Sequence, residues 1–117
     1  MLVSRLIDAI RGSDADSLRA MLAEDVVFHS PVQTYRGRDQ AIHLLVLIGG
    51  ILDAMDVTRE VDGVTFFIAN VGEHPVDGVL VERTDQYGHI KEITVMLRPL
   101  AALQAAVARM ARALAEQ

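Results

Sequence analysis

Four β-rich runs crowd the second half of this chain, and they limit the fold more than any other feature. They are Asp56–Val61, Val64–Val71, Asp77–Asp85 and His89–Leu97. Only short turns separate them, at Asp62-Gly63, Glu73-His74-Pro75 and Gln86-Tyr87-Gly88. Such short connections join antiparallel neighbours, because a parallel crossover needs about a dozen residues or more. The second half therefore reads as an antiparallel meander.

The first half reads mainly as helix. Leu2, Leu6, Ile7 and Ile10 fall at helical spacing, and Gly12 is placed to end that helix. Ser13 and Asp14 suit the cap of a second helix whose apolar face is Leu18, Met21 and Leu22. The run VVFHS then reads as a strand stopped by Pro31, and Pro31 to Gly37 as an irregular loop. A third helix is expected from about Asp39 to Met55. It is apolar on nearly every side, as a buried helix is. Gly49-Gly50 inside it costs helix stability, about 1 kcal/mol per glycine relative to alanine. The pair marks either the close approach of another element or a kink or helix end. After the strands, Pro99 suits the first turn of a last helix. Leu100, Leu103, Val107, Met110 and Leu114 form one apolar stripe on it, a face for the domain itself or for a dimer partner. Helices followed by antiparallel strands make an α+β protein. A strongly curved sheet around the helices would give a cone with an apolar interior.

Composition narrows the function classes. The chain has 117 residues, the size of one domain. Its net charge of -5 leaves no basic stripe for nucleic acid. It contains no cysteine, which excludes disulfides, thiolate catalysis and cysteine-based zinc sites. The apolar run Ala41–Leu52 is far shorter than the ~20 residues of a membrane span. Charged residues interrupt MLVSRLIDAI, unlike a signal peptide, so the expected location is the cytoplasm. The four histidines form no HxH or HExxH array, and no glycine-rich phosphate loop or nucleophile elbow occurs, so no metal or cofactor is expected.

The segment RGSDADSLRAMLAEDVVFHSP (residues 11–31) resembles the start of the nuclear transport factor 2-like superfamily, which includes ketosteroid isomerases and SnoaL-type polyketide cyclases. The later segment VDGVLVERTDQYGHIKEITVMLRPL resembles the SnoaL-like ending, with Asp85-Gln86-Tyr87-Gly88, Glu92 and Arg98-Pro99 in the expected order. The resemblance implies a cone-shaped α+β fold with N-terminal helices packed in the curved sheet. Laid on the isomerase pattern without gaps, Leu6 stands where the family has its oxyanion-hole tyrosine. Ser30 stands at the base aspartate, and Leu80 at the protonated acid. For the cyclases, the acid/base aspartate falls on the strand position of Leu80. An isomerase-like reaction needs a carboxylate at the proton and hydrogen-bond donors at the developing enolate. Leucines supply neither.

The expected cup is lined by Leu6, Phe28, Ser30, Tyr35, Phe66 and Leu80, with Phe67 the alternative to Phe66 as the inward residue. Glu82 shares the face of Leu80 on the period of two and is the candidate for a relocated acid/base. Its alternative role is a salt bridge to Arg98 or Arg59, or a place at a dimer face. Ser30 reads as a ligand donor or a strand-end cap. His29, on the opposite face, reads as a surface or interface histidine. Two functions follow: a domain that binds a small, largely apolar molecule, or an isomerase-, cyclase- or hydrolase-like enzyme acting through Glu82 without a cofactor. The expected assembly is a homodimer through the outer sheet face.

Overall fold

The computed structural model describes residues 4–116, so Leu2 lies outside the described part. Its elements run α1 (Arg5–Arg11), α2 (Ala15–Met21), β1 (Leu22–His29), β2 (Thr34–Arg36) and α3 (Arg38–Ile51). They continue with β3 (Asp53–Val61), β4 (Val64–Val71), β5 (His74–Thr84), β6 (Ile90–Arg98) and α4 (Leu100–Ala115). The strands form one curved six-stranded sheet in the order β2-β1-β6-β5-β4-β3. The α+β class expected from the sequence is the one observed.

Local chemistry explains the helix ends. The Ser4 hydroxyl accepts the Ile7 N–H at 3.2 Å and opens α1. The Asp14 carboxylate accepts the Ser17 N–H at 3.1 Å and opens α2, so Asp14 rather than Ser13 is the cap. These side chains satisfy amide donors that the first helical turn leaves without a partner. The β3–β4 connection falls at Asp62-Gly63, both with positive φ (46° and 82°), the pattern of a type I′ hairpin.

The meander β3-β4-β5-β6 is antiparallel throughout. The sequence gives no local signal for the next join. β1 pairs with β6 in parallel, with Phe28 opposite Ile93. This distant pairing carries β1 back to Leu22, which was expected on the α2 face. It also lets Thr34–Arg36 form a short strand on β1, inside the expected loop.

Two other boundaries differ from the expectation. α3 stops at Ile51, not Met55, and Leu52 is already extended. The positive φ of Ala54 (54°) and a register shift between Asp53 and Asp56 carry the chain into β3, where Met55 is buried. β5 begins at His74, before the expected Asp77, because Gly72 (φ 60°) and Glu73 alone make the turn. Pro75 lies within β5, where it pairs with Asn70 of β4. β6 reaches β5 only from Asp77 onward, so the missing N–H of Pro75 breaks no ladder on that side.

The core lies between the concave sheet face and the helices. α1 contributes Leu6, Ile7 and Ile10, and α3 contributes Ala41, Ile42, Leu44 and Leu45. The sheet adds Phe28, Phe67, Val76, Leu80, Ile93 and Val95. α3 is less enclosed than its composition suggests, since His43 and Gly50 are exposed. Gly49 is the point of close approach. A Cβ there would overlap the carbonyl oxygen of Ile10 in α1, whereas a Cβ on Gly50 would meet open space.

Candidate functional site: an apolar cavity beneath the last helix

A cavity of about 220 Å³ opens between α3 and α4 against the β1–β6 side of the sheet. Leu44, Ile48 and Ile51 of α3 form one wall, and Leu103, Val107 and Met110 of α4 form the opposite one. Phe28, Val95 and Leu97 form the floor, and the loop after β1 closes one side with Ser30, Pro31 and Val32. The α4 stripe therefore faces this domain across the cavity, with Leu103, Val107, Met110 and Leu114 all lining it. Leu100 does not join them and is exposed.

Among the described residues, Ser30 and Tyr35 are the only polar side chains in the lining, and both come from the same side. The Ser30 hydroxyl donates to the Gln33 carbonyl at 2.9 Å and accepts the N–H groups of Val32 (3.2 Å) and Gln33 (3.1 Å). It holds the turn that follows β1, as a strand-end cap does. Tyr35 sits opposite Phe28 in the β1–β2 pair, with ring centroids 6.1 Å apart. Its phenol oxygen accepts the Gln33 side-chain amide at 2.7 Å.

Of the cup residues expected from the sequence, Phe28, Ser30 and Tyr35 line this cavity. Leu6 and Leu80, each 1% exposed, are buried in the core beside it and are absent from its lining. Phe66 takes a different place. It is 39% exposed on the outer sheet face, while Phe67 is 2% exposed and points inward. The reason is phase: Thr65, Phe67, Ala69 and Val71 are the buried set on β4. Sequence reasoning missed the α3 and α4 walls. The α4 stripe was visible as a period, but what it faced was not.

Glu82 also lies outside the cavity lining. It is half-buried near the β3–β4 turn, where its N–H donates to the Gly63 carbonyl at 2.8 Å. Burial pushes its carboxyl above the ordinary range, the like charge of Glu60 adds to this, and Arg5 opposes it. The salt bridge expected to Arg98 is not made, since Arg98 pairs with Asp77 at 2.8 Å, and among the described residues Glu82 forms none with Arg59. An acid whose pKa is raised by folding stabilises the fold fully below its unfolded value, and that contribution is lost as pH rises through the folded value. Glu82→Gln is therefore expected to melt above the wild type near neutral pH. The gap should close below about pH 4, where both side chains are neutral. Thermal melts across pH check this, and a variant less stable than wild type at neutral pH contradicts it.

His29 is on the other face of β1 and bridges Thr34 (2.8 Å) and Glu92 (2.9 Å). Its hydrogen bond is the main reason the Glu92 carboxyl sits below the usual range. Among the described residues, no group of three or more His, Asp or Glu side chains is placed to hold a metal ion. No described helix is long and apolar enough to cross a membrane.

A curved sheet folded over helices, with an apolar chamber under a C-terminal helix, defines a nuclear transport factor 2-like protein. The model of the SnoaL-like domain matches residues 3–78, and this chain belongs to that family. A steroid delta-isomerase from Pseudomonas aeruginosa is 30% identical with a TM-score of 0.88, over 94% of this chain and 86% of its own. A bacterial protein with a cystatin-like fold from Silicibacter pomeroyi is 27% identical with a TM-score of 0.87, over 92% of this chain and 81% of its own. An NTF2-like protein from Cytophaga hutchinsonii, 14% identical, shares the fold at a TM-score of 0.68 over 85% of this chain and 88% of its own. Comparison with curated proteins gives no match.

Proposed function

We propose that this protein binds a small, largely apolar molecule in the cavity between α3 and α4, without the acid/base chemistry of the isomerases. The observation that carries this reading is the lining. Among the described residues it is aliphatic and aromatic apart from Ser30 and the Tyr35 phenol, and it presents no carboxylate, histidine or lysine. Small-molecule sites are commonly built this way, as apolar concavities with a few placed polar groups. Proton abstraction needs a base within about 3 Å of the proton, directly or through one water. Glu82 is outside the lining, and the Ser30 hydroxyl is occupied in its own turn. The likeness to a steroid delta-isomerase supports an apolar ligand. On the family pattern, Leu6, Ser30 and Leu80 replace the isomerase groups, which supports binding without that reaction.

Native mass spectrometry of freshly purified protein, followed by denaturation, tests the reading. A stoichiometric small apolar molecule released on unfolding is expected. A stoichiometric polar or highly charged molecule contradicts it.

The partner expected from the sequence, a second copy of this chain, is also part of the proposal. The outer sheet face exposes Phe66 and Ile68 (47%) on β4 and Met96 (51%) on β6, with Val79 of β5 in register between Phe66 and Met96. Exposed apolar patches of this kind mark association surfaces. Wild-type protein is expected to run as a dimer in light scattering, and the double variant Ile68→Lys, Met96→Lys as a folded monomer. A monomeric wild type, or a variant that remains dimeric, overturns this assembly.

A further inference from the structure

We infer that the ligand of the α3–α4 cavity carries a single hydrogen-bond acceptor, a ketone or similar oxygen, on a compact one- or two-ring body, and that the Tyr35 phenol donates to that oxygen. The inference rests on the binding function proposed above and adds the ligand's chemistry to it.

Of the two polar side chains in the lining, Ser30 has already committed its proton to the Gln33 carbonyl. Tyr35 accepts the Gln33 amide, which uses a lone pair and leaves its own O–H without an acceptor among the described residues. The hydrogen bond from Gln33 and the contact with Phe28 hold the ring in place, so the phenol oxygen has a fixed position from which its proton can turn to an acceptor. The backbone N–H groups nearest the polar side of the cavity are already bonded, that of Ser30 to the Gln33 carbonyl. The Val32 N–H is bonded to Ser30, and the Leu103 N–H to the Pro99 carbonyl. A ligand with one acceptor matches this inventory. A second polar group elsewhere on the molecule would face apolar side chains and be buried unpaired, which is unfavourable.

An apolar protein cavity of about 150 Å³ holds benzene. Scaled by volume, the 220 Å³ observed here suits about nine non-hydrogen atoms, so a two-ring ligand fills it, and a steroid with about twenty exceeds it and must project through the side where Val32, Val107 and Leu114 are exposed. Polarity is confined to residues 30–35, and the α4 wall is wholly apolar. The oxygen should point to the loop after β1, with the hydrocarbon against α4.

The test uses 1-tetralone and tetralin, two-ring compounds that differ in one carbonyl, with progesterone as the large probe. Affinities are measured for the wild type and Tyr35→Phe. Loss of the phenol should weaken 1-tetralone about tenfold more than tetralin, the size of effect expected when a buried oxygen loses its donor. In the wild type the infrared carbonyl stretch of bound 1-tetralone should fall below its value in alkane. That reading needs no variant, so the inference stays testable if Tyr35→Phe folds poorly. Progesterone should bind at least about tenfold more weakly than 1-tetralone. Equal weakening of both two-ring ligands, or an alkane-like stretch, overturns the role of Tyr35 while the apolar site stands. Progesterone binding as tightly as 1-tetralone overturns the size limit. Failure of tetralin and 1-tetralone alike to bind overturns the proposed binding function itself.

Discussion

Replacing Gly49 with alanine is expected to destabilise the protein by about 2–4 kcal/mol, the upper range for an overpacked contact. The same change at Gly50 is expected to be neutral or stabilising by up to about 1 kcal/mol. Both residues lie in the last turn of α3, and helix propensity alone predicts that alanine helps at each. The difference is what a methyl group would meet. At Gly49 it overlaps the Ile10 carbonyl oxygen, and at Gly50 it meets nothing. The Ile10 carbonyl has little freedom to withdraw, because it accepts the Ser13 N–H at 3.1 Å in the joint between α1 and α2. Moving it opens that joint or pushes α3 from its seat beside α1. For a domain of this size the Gly49→Ala loss corresponds to a fall in Tm of about 10 °C or more. Thermal melts of the two variants decide the matter. Equal effects at the two positions contradict the close-approach account.

The second large effect is expected at Leu80, a fully buried side chain of β5. Leu80→Asp should cost about 5 kcal/mol or more at neutral pH and leave much of the protein unfolded. Two losses combine. Removing a buried leucine costs about 2–5 kcal/mol, and the new carboxyl must be desolvated at a site that is 1% exposed. Leu80→Ala isolates the first loss and should be clearly milder. Desolvation raises the pKa of the new acid in the folded state, so it harms stability least when protonated. The gap between wild type and Leu80→Asp should therefore narrow as pH falls toward about 4. Urea unfolding at several pH values measures this. A Leu80→Asp protein as stable as wild type at neutral pH would show that polar groups or water reach Leu80, and would contradict its place in a filled core.

How far these features could be read from the chain differs from element to element. The meander was legible because its turns are written in residues that turns require, Asp62-Gly63 above all. The parallel pairing of β1 with β6 was not, because it joins Leu22 to Ile90 across most of the sequence. The inward residue of β4 was ambiguous for a physical reason. Val64, Phe66 and Ile68 on one face are about as apolar as Phe67, Ala69 and Val71 on the other, so alternation shows two faces without showing which is buried. The glycine pair offered two readings, and the structure divides them between the residues. Gly49 is a contact, and Gly50 lies beside the helix end.

The site was legible only on its loop side. Phe28, Ser30 and Tyr35 are close in sequence and follow one strand and its turn, so they could be grouped before the fold was known. The walls from α3 and α4 come from residues about sixty positions apart, and no local pattern says that Ile48 faces Met110 across a gap. Leu6 and Leu80 were expected in the lining because the family pattern places polar groups there. As leucines they are buried in the core, and the open space lies nearer α4.

The most direct test of the central claim is a methyl NMR titration of the wild-type protein with tetralin. Saturable shifts are predicted for Leu44, Ile48, Val95, Leu103 and Met110, which line the cavity, with much smaller changes at Ile68 and Met96 on the outer face. Shifts centred on the outer face, or no saturable shift at any methyl, would contradict an apolar binding site beneath α4.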